Sequence, residues 1–489
     1  MRVSTKSADQ AGLHIPKLFL AAVPVTYGVP GVPRRRILER QAVPQDQLDV
    51  ALAEPMHSDA RNPCDALLHI PKVALLFMTS GKMPHERLWR LWVKQAKALV
   101  PLDAVRRYAA TSSRPGAPLD PARLQQLAQA CAARQTAAGE LPVSQLDRQF
   151  LFTFYIHAAP DVPGFNASSM FAGSLIPHRT HARRQEHSLI DAERLLLAEA
   201  LRDPLNQRFL LLSDTTLPLY GPALVYQQAM AETLSRMDAC TYHPEIPGNL
   251  DRWDAGMEGP HFKMHHWRKT SMWFSMPRKH AEVIAREVEI NAAFQQFCKK
   301  RLVHPLTNST ASCSSCEHYP AIVMAVLGLE HETTCNGDGN TYVDWNIDIK
   351  YGHPRTFKNK DVNDSLVAVA RTGYYCTLQE TEEAIRSASQ QFVNARSLPS
   401  PANPAAAALP ADPPPPYPAL GANCSLFIRK MPAFVERTAY RVLGRHVRGL
   451  PWEASVEEGE EGQKLVKYMK SRTVINSLLE AATSGLQAL

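Results

Sequence analysis

A chain of 489 residues with 45% hydrophobic and 21% charged side chains can bury a full core, which excludes a fibrous or intrinsically disordered protein. Its formal charge of +7 comes from 54 basic against 47 acidic residues. So small an excess argues against a dedicated nucleic-acid binder and suits a solvated basic surface or a pocket for a nucleotide diphosphate.

Residues 1–68 mix Pro, Ala and charge without periodicity and read as a disordered or mobile leader. Its most apolar stretch, Leu18 to Val32, is broken by Pro24 and Pro30 and falls short of the ~20 residues of a membrane span. Neither a membrane anchor nor a clear signal sequence is evident there. A catalytic body is expected over 69–395. It opens on the continuous apolar run Lys72 to Met78, closed by Thr79-Ser80-Gly81, the pattern of a buried parallel strand and its turn. Pro84 then opens a helix through Leu88, Trp89, Leu91 and Trp92. About 101–149 is rich in Ala, Gln and Arg, with Leu124, Leu127 and Cys131 at helical spacing, and reads as a surface helical insertion. A strand at Phe150 to His157, an amphipathic helix at Leu189 to Leu201 and a strand at Arg208 to Ser213 follow. Strands alternating with helices place the chain in the α/β class, with a mostly parallel central sheet flanked by helices. An extended Pro/Ala-rich loop is expected over 396–422. A segment at 423–489 must then pack back onto the body to be stable.

Several motifs carry chemistry. Nine cysteines, with acceptor sequons at Asn166, Asn308, Asn363 and Asn423, are compatible with the secretory pathway. Cys313-Ser-Ser-Cys316, near His318 and Cys335, has the spacing of half a zinc site, but no second pair completes it; a disulfide or unpaired buried thiols are the other readings. No Walker loop, G-x-G-x-x-G, H-E-x-x-H or G-x-S-x-G occurs, which removes the common nucleotidase, dehydrogenase, metalloprotease and serine hydrolase readings. Trp267 to Phe274 packs Arg268, Lys269, Ser271 and two indoles into eight residues, either a basic turn beside a core strand or a clamp for sugar or phosphate. Glu317 precedes the apolar run Ala321 to Leu329, where a carboxylate ordinarily serves the helix dipole.

In this order, Lys72 to Thr79, Phe154-Tyr-Ile-His157, Leu189 to Leu196, Arg208 to Ser213, His266 to Phe274, Cys316-Glu-His-Tyr-Pro320, Tyr342-Val-Asp-Trp345 and His353-Pro-Arg-Thr-Phe357 resemble the core-2/I-branching β-1,6-N-acetylglucosaminyltransferase family, especially its plant and algal branch. The resemblance covers about Lys72 to Phe357 and Cys424 to Met431. It implies a GT-A type nucleotide-diphospho-sugar transferase fold and an inverting glycosyltransferase of the Golgi. The expected co-substrate is a UDP-sugar, by default carrying N-acetylglucosamine, and the expected acceptor is a glycan or glycoprotein. No cofactor or metal is expected, because Ser213-Asp214-Thr215-Thr216 offers one acid where a cation cage needs more.

By the same resemblance Glu317 is the catalytic base that takes the acceptor proton. His157, Asp214, Arg429 and Lys430 are expected on the donor, the two cations stabilising the departing diphosphate. Arg268, Lys269, Ser271 and Trp345 are expected on the acceptor or sugar. The family also contains xylosyl- and glucuronosyltransferases. The sequence departs from the branch at Cys316, usually Asp, and at Pro320, usually aromatic. Those changes keep a second outcome open, an inert glycan-binding protein retaining the fold.

Overall fold

The computed structural model of the protein describes residues 70–96, 99–101, 103–104, 151–240, 252–298, 301–304, 309–311, 313–335, 339–345, 354–372, 376, 381, 383–385, 388, 391–394 and 424–448. All fall in the unit 41–489, and the unit 1–40 lies outside them. The leader at 1–68, nearly all of the insertion at 101–149, the loop at 396–422, residues 449–489, Asn308 and Asn423 are likewise outside the described residues.

The first strand, β1 (Lys72–Met78), is buried along its whole length. Because strand side chains alternate, Val73, Leu75 and Phe77 enter one core while Ala74, Leu76 and Met78 enter another on the opposite face. Two covered faces explain why the run carries no polar alternation. Helix α1 (Glu86–Ala96) covers the first face; it starts two residues after Pro84, which sits in the preceding turn with His85. Trp89 meets Phe77 edge-on at 5.2 Å, and Trp92 leans on Phe152 at 4.5 Å. The short strand β2 (Leu99–Pro101) follows.

Strands β3 (Phe152–His157) and β4 (Asn206–Ser213) both pair parallel to β1. Between them runs α2 (Ser188–Leu201), which differs from the expected amphipathic helix because Asp191, Glu193 and Arg194 are buried with its leucines. The chain covers its outward side later, and Arg194 donates to the carbonyls of Ala285 and Glu287. Burial pushes the Glu193 carboxyl well up, with the Arg194 charge opposing.

After β5 (Leu217–Pro218) and α3 (Pro222–Ala231), β6 (Ser275–Pro277) joins β4 antiparallel, giving the sheet order β3-β1-β4-β6. Helices α4 (Arg278–Arg286) and α5 (Glu289–Phe297), a hairpin of β7 (Arg301–His304) and β8 (Ser309–Ala311), and α6 (Tyr319–Val326) follow; the helices build the second core. Next come β9 (Thr341–Val343), α7 (Asp364–Thr372), β10 (Phe392–Asn394) paired with β2, β11 (Phe427–Arg429) and α8 (Glu436–Val447). Strand β11 inserts between β5 and β9, so the C-terminal segment completes a second sheet against the body.

Disulfides join Cys240 to Cys335, Cys298 to Cys313 and Cys376 to Cys424. Cys313 therefore pairs 15 residues back and not with Cys316, which stays a buried free thiol; burial pushes that thiol far up. The C-x-x-C spacing is a coincidence of two separate roles. By loop closure such links stabilise the fold by roughly 3 to 5 kcal/mol each.

Candidate active site

Parallel strands gather their ligand-binding loops at their carboxyl ends. Here Thr79, after β1, and Asp214, after β4, meet: the Thr79 hydroxyl donates to Asp214 Oδ2 at 3.3 Å and that of Ser80 at 3.4 Å. Burial raises the Asp214 carboxyl against the pull of those donors and of Arg429. Strand β11 delivers Arg429 and Lys430 to the same end. Its exit is held by the Met431 N–H on the Thr215 carbonyl at 2.9 Å, the Phe357 N–H on the Lys430 carbonyl at 3.1 Å and His85 Nε2 against the Met431 carbonyl at 2.7 Å.

The Arg429 guanidinium lies over the Trp273 ring at 4.3 Å, and its Nε is buried without a partner. Burial lowers Arg429 to about 10, with Asp214 opposing and Arg184 adding to the fall. Lys430 is pushed down to about 8 by burial and then by repulsion from Arg429 and Arg184. Mutually repelling, partly desolvated cations are relieved by a dianion, and a diphosphate is one. Strand β9 runs parallel to β11 with Val343 opposite Arg429, which brings Trp345, 48% exposed, to the same end of the sheet.

Glu317 closes a tight turn at Ser315–Glu317 just ahead of α6, and Pro320 sits in that helix's first turn, where its missing N–H costs nothing. Glu317 Oε2 accepts from Arg252 at 2.6 Å, and the same nitrogen reaches His318 Nε2 at 3.3 Å. His318 is fully buried, with Nδ1 at 2.6 Å from the Arg268 carbonyl. Nδ1 therefore carries the proton, and Nε2 is the acceptor. The ring stacks on Trp267 at 4.3 Å, and burial, then the Arg252 charge, lower it to about 3, so it is neutral. The Glu317 carboxylate itself is 38% exposed.

One segment joins these two centres. The Thr270 N–H donates to the Glu317 carbonyl at 2.9 Å, and three residues later Trp273 lies beneath Arg429. Three extended residues span at most ~10 Å, so the Thr270 backbone that meets Glu317 lies within about that distance of the Trp273 backbone. Asn340 braces the segment, its N–H on the Trp273 carbonyl at 3.1 Å and its Nδ2 on the Phe274 carbonyl at 2.9 Å.

The other expected residues divide. Lys269 is exposed and Ser271 half-buried on this segment, the Ser271 hydroxyl accepting from the Trp273 N–H at 3.2 Å. Arg268 does not reach an open surface: it is buried, donates to the carbonyls of Ala239, His265 and Trp267, and pairs with Glu330 at 3.6 Å. His157 is buried too, its Nε2 accepting from the Thr180 N–H at 3.1 Å; burial, then Arg179, lower it to about 4. Its backbone carbonyl holds the Thr79 N–H at 3.0 Å, so it positions the residue that touches Asp214. Arg252 and Arg184 are not singled out by the sequence, and His318 stands out there only beside the half zinc site. The neighbour of Glu317 was a legible hint for His318, whereas Arg252 lies 65 residues away and carried none.

Residues 140–369 match the family described as Branch: Core-2/I-Branching enzyme. A protein of Oryza sativa subsp. japonica, named Glycosyltransferase BC10, is 30% identical over 241 residues. The chain spans 58% of that relative's length, and the match takes in 45% of this chain. The family segment holds Asp214, Arg252, Trp273, Glu317 and Trp345, while Arg429 and Lys430 lie beyond it.

Proposed function

Residues 140–369 match the core-2/I-branching enzyme family, and from that match we propose that the chain is a GT-A type, inverting glycosyltransferase that moves a sugar from a UDP-sugar to a hydroxyl of a glycan or glycoprotein. The observation that carries this reading is the Thr270–Trp273 segment, which holds the Glu317 main chain at one end and places the Trp273 ring beneath Arg429 at the other. Arg252 occupies Glu317 Oε2 and orients the group; Oε1 has no partner among the described residues and takes the acceptor proton. The acceptor oxygen attacks the anomeric carbon from that side, and the bond to the diphosphate breaks on the other. Arg429 and Lys430 neutralise the leaving charge in a partly desolvated site, where fixed cations act more strongly than in water.

Transfer without a metal is part of the proposal. It is supported by the lone carboxylate after β4 and by the cation cluster facing it, because a divalent ion would compete with Arg429 and Lys430 for the same phosphate oxygens. N-acetylglucosamine is the default donor sugar, with xylose and glucuronic acid as the family alternatives. The three disulfides among the described residues suit an oxidising compartment and so a Golgi lumenal site. No helix among the described residues is long and apolar enough to cross a membrane.

The test is a panel of UDP-sugars with glycan acceptors, run with and without EDTA, on the wild type and Glu317→Gln. Transfer that survives chelation and falls by ~100-fold or more in Glu317→Gln is expected. Loss of transfer with EDTA would refute the metal-free mechanism alone. A second reading, an inert glycan-binding protein, draws on the grip of Arg252 on Glu317; it requires no turnover with any donor and glycan binding unchanged by Glu317→Gln.

A further inference from the structure

Helices α1 and α8 pack side by side, and an open groove of about 610 Å³ runs along them. Among the described residues, five of its lining side chains are arginines, Arg87, Arg437, Arg441, Arg445 and Arg448, and none is acidic. Arg437, Arg441 and Arg445 recur every four residues and Arg448 follows three later, so the row occupies one face of α8. Local helix stability does not account for it. Like charges four apart destabilise a helix by roughly 0.2–0.5 kcal/mol per pair, and Arg437 in the first turn also opposes the helix dipole. Arg445 is paired with Asp364 at 2.8 Å, and Arg87 lies over the Tyr440 ring at 4.0 Å. Arg437, Arg441 and Arg448 are exposed and have no ion pair among the described residues. Gly444 lies between them, where a Cβ would stand 3.4 Å from Leu91, so the groove has a backbone floor.

We propose that this groove is a second binding site, separate from the donor site, for an acidic polysaccharide, a linear chain bearing carboxylate or sulfate groups. Every cation is an arginine, whose planar fork engages carboxylate or sulfate oxygens two at a time, as lysine cannot. The row places a charge about every 6 Å over roughly 16 Å of helix, which fits a repeating polyanion and not a single small ion. A concave groove does not match a flat bilayer. Single-stranded nucleic acid needs open rings for its bases, and the Tyr440 ring is already capped by Arg87. The inference does not depend on sugar transfer.

The full chain is titrated with dextran sulfate and polygalacturonate, with neutral dextran as control, at two salt concentrations. Expected is binding of one or both acidic polymers, none of dextran, and at least a tenfold loss of affinity with a shallower salt dependence in Arg437→Gln/Arg441→Gln/Arg448→Gln. The corresponding triple Lys variant should retain charge yet bind severalfold more weakly than the wild type. All three positions are exposed and the row repels itself, so a thermal melt no lower than that of the wild type is expected to accompany the loss. Donor hydrolysis, followed in parallel, should be unaffected in both variants. The proposal is overturned if the Gln variant binds like the wild type, if single-stranded DNA or anionic vesicles bind more tightly than either polysaccharide, or if donor hydrolysis is lost with the arginines. It is also overturned if binding appears only after Glu453, Glu457, Glu458, Glu460 and Glu461 are changed to Gln, because the groove's ligand would then be the chain itself.

Discussion

Arg252 shares one nitrogen between Glu317 and His318, and this makes its loss informative. A charge-assisted hydrogen bond contributes about 1.5–3 kcal/mol, so Arg252→Met should lower kcat by ~10- to 100-fold through misplacement of the carboxylate. The donor KM should change little, since Arg252 does not meet the diphosphate cations; a KM effect without a kcat effect would remove Arg252 from this role. Lys430 sets a separate pH limit. Its ammonium must be protonated to neutralise a phosphate, and in the free protein it is pushed down to about 8. The donor kcat/KM should therefore fall as pH rises through about 8, and Lys430→Arg should abolish that limb because guanidinium stays charged. Glu317 and Lys430 were legible as residues through their flanking motifs. Arg268 and His157 were legible as chemistry but not as burial, because nothing in a sequence tells which carbonyls a guanidinium will find.

At the scale of elements, the segment Thr270–Trp273 carries the proposed site, and its support comes from the turn before β9. Gly339 there has φ +65, a conformation that side chains other than glycine rarely adopt, and a Cβ would run into the Trp273 carbonyl. Gly339→Ala should cost about 1–3 kcal/mol from backbone strain, measured by denaturant unfolding. It should also lower transfer, because the Trp273 ring beneath Arg429 moves with that carbonyl. An unchanged rate at reduced stability would show that the ring is not needed where it stands. The strands β1 and β4 were readable from continuous apolar runs, since two covered faces leave no room for alternation. Helix α2 misled in one respect: its Asp191, Glu193 and Arg194 suggested a wet face, but α4 and the turn after it supply carbonyls that only the folded chain brings near.

For the whole molecule, buried neutral histidines make acid a denaturant. His157, lowered to about 4, and His187 and His318, each lowered to about 3, stay neutral when folded, whereas the unfolded chain protonates them near pH 6.5. The unfolded state then binds more protons, so stability is lost as pH falls from 6.5 toward 4, by up to ~1.4 kcal/mol per pH unit for each histidine. Asp191, raised to about 6 by burial, offsets part of this loss because it takes up its proton first in the folded state; a thermal melt at pH 5 should still lie below that at pH 7, and a higher melt at pH 5 would show that the buried carboxyls outweigh the histidines. Reductant should lower the melt at either pH through the disulfides at Cys240–Cys335, Cys298–Cys313 and Cys376–Cys424. The sequence by itself determined the α/β alternation, the strand cores and the order of motifs that singles out Glu317, because periodicity and local spacing are properties of neighbouring residues. Only the tertiary structure decided that Cys313 joins Cys298, that Arg252 holds Glu317, and that β11 carries Arg429 and Lys430 back beside Asp214. Those pairings bridge distant positions, and they are set by how two cores pack on one sheet.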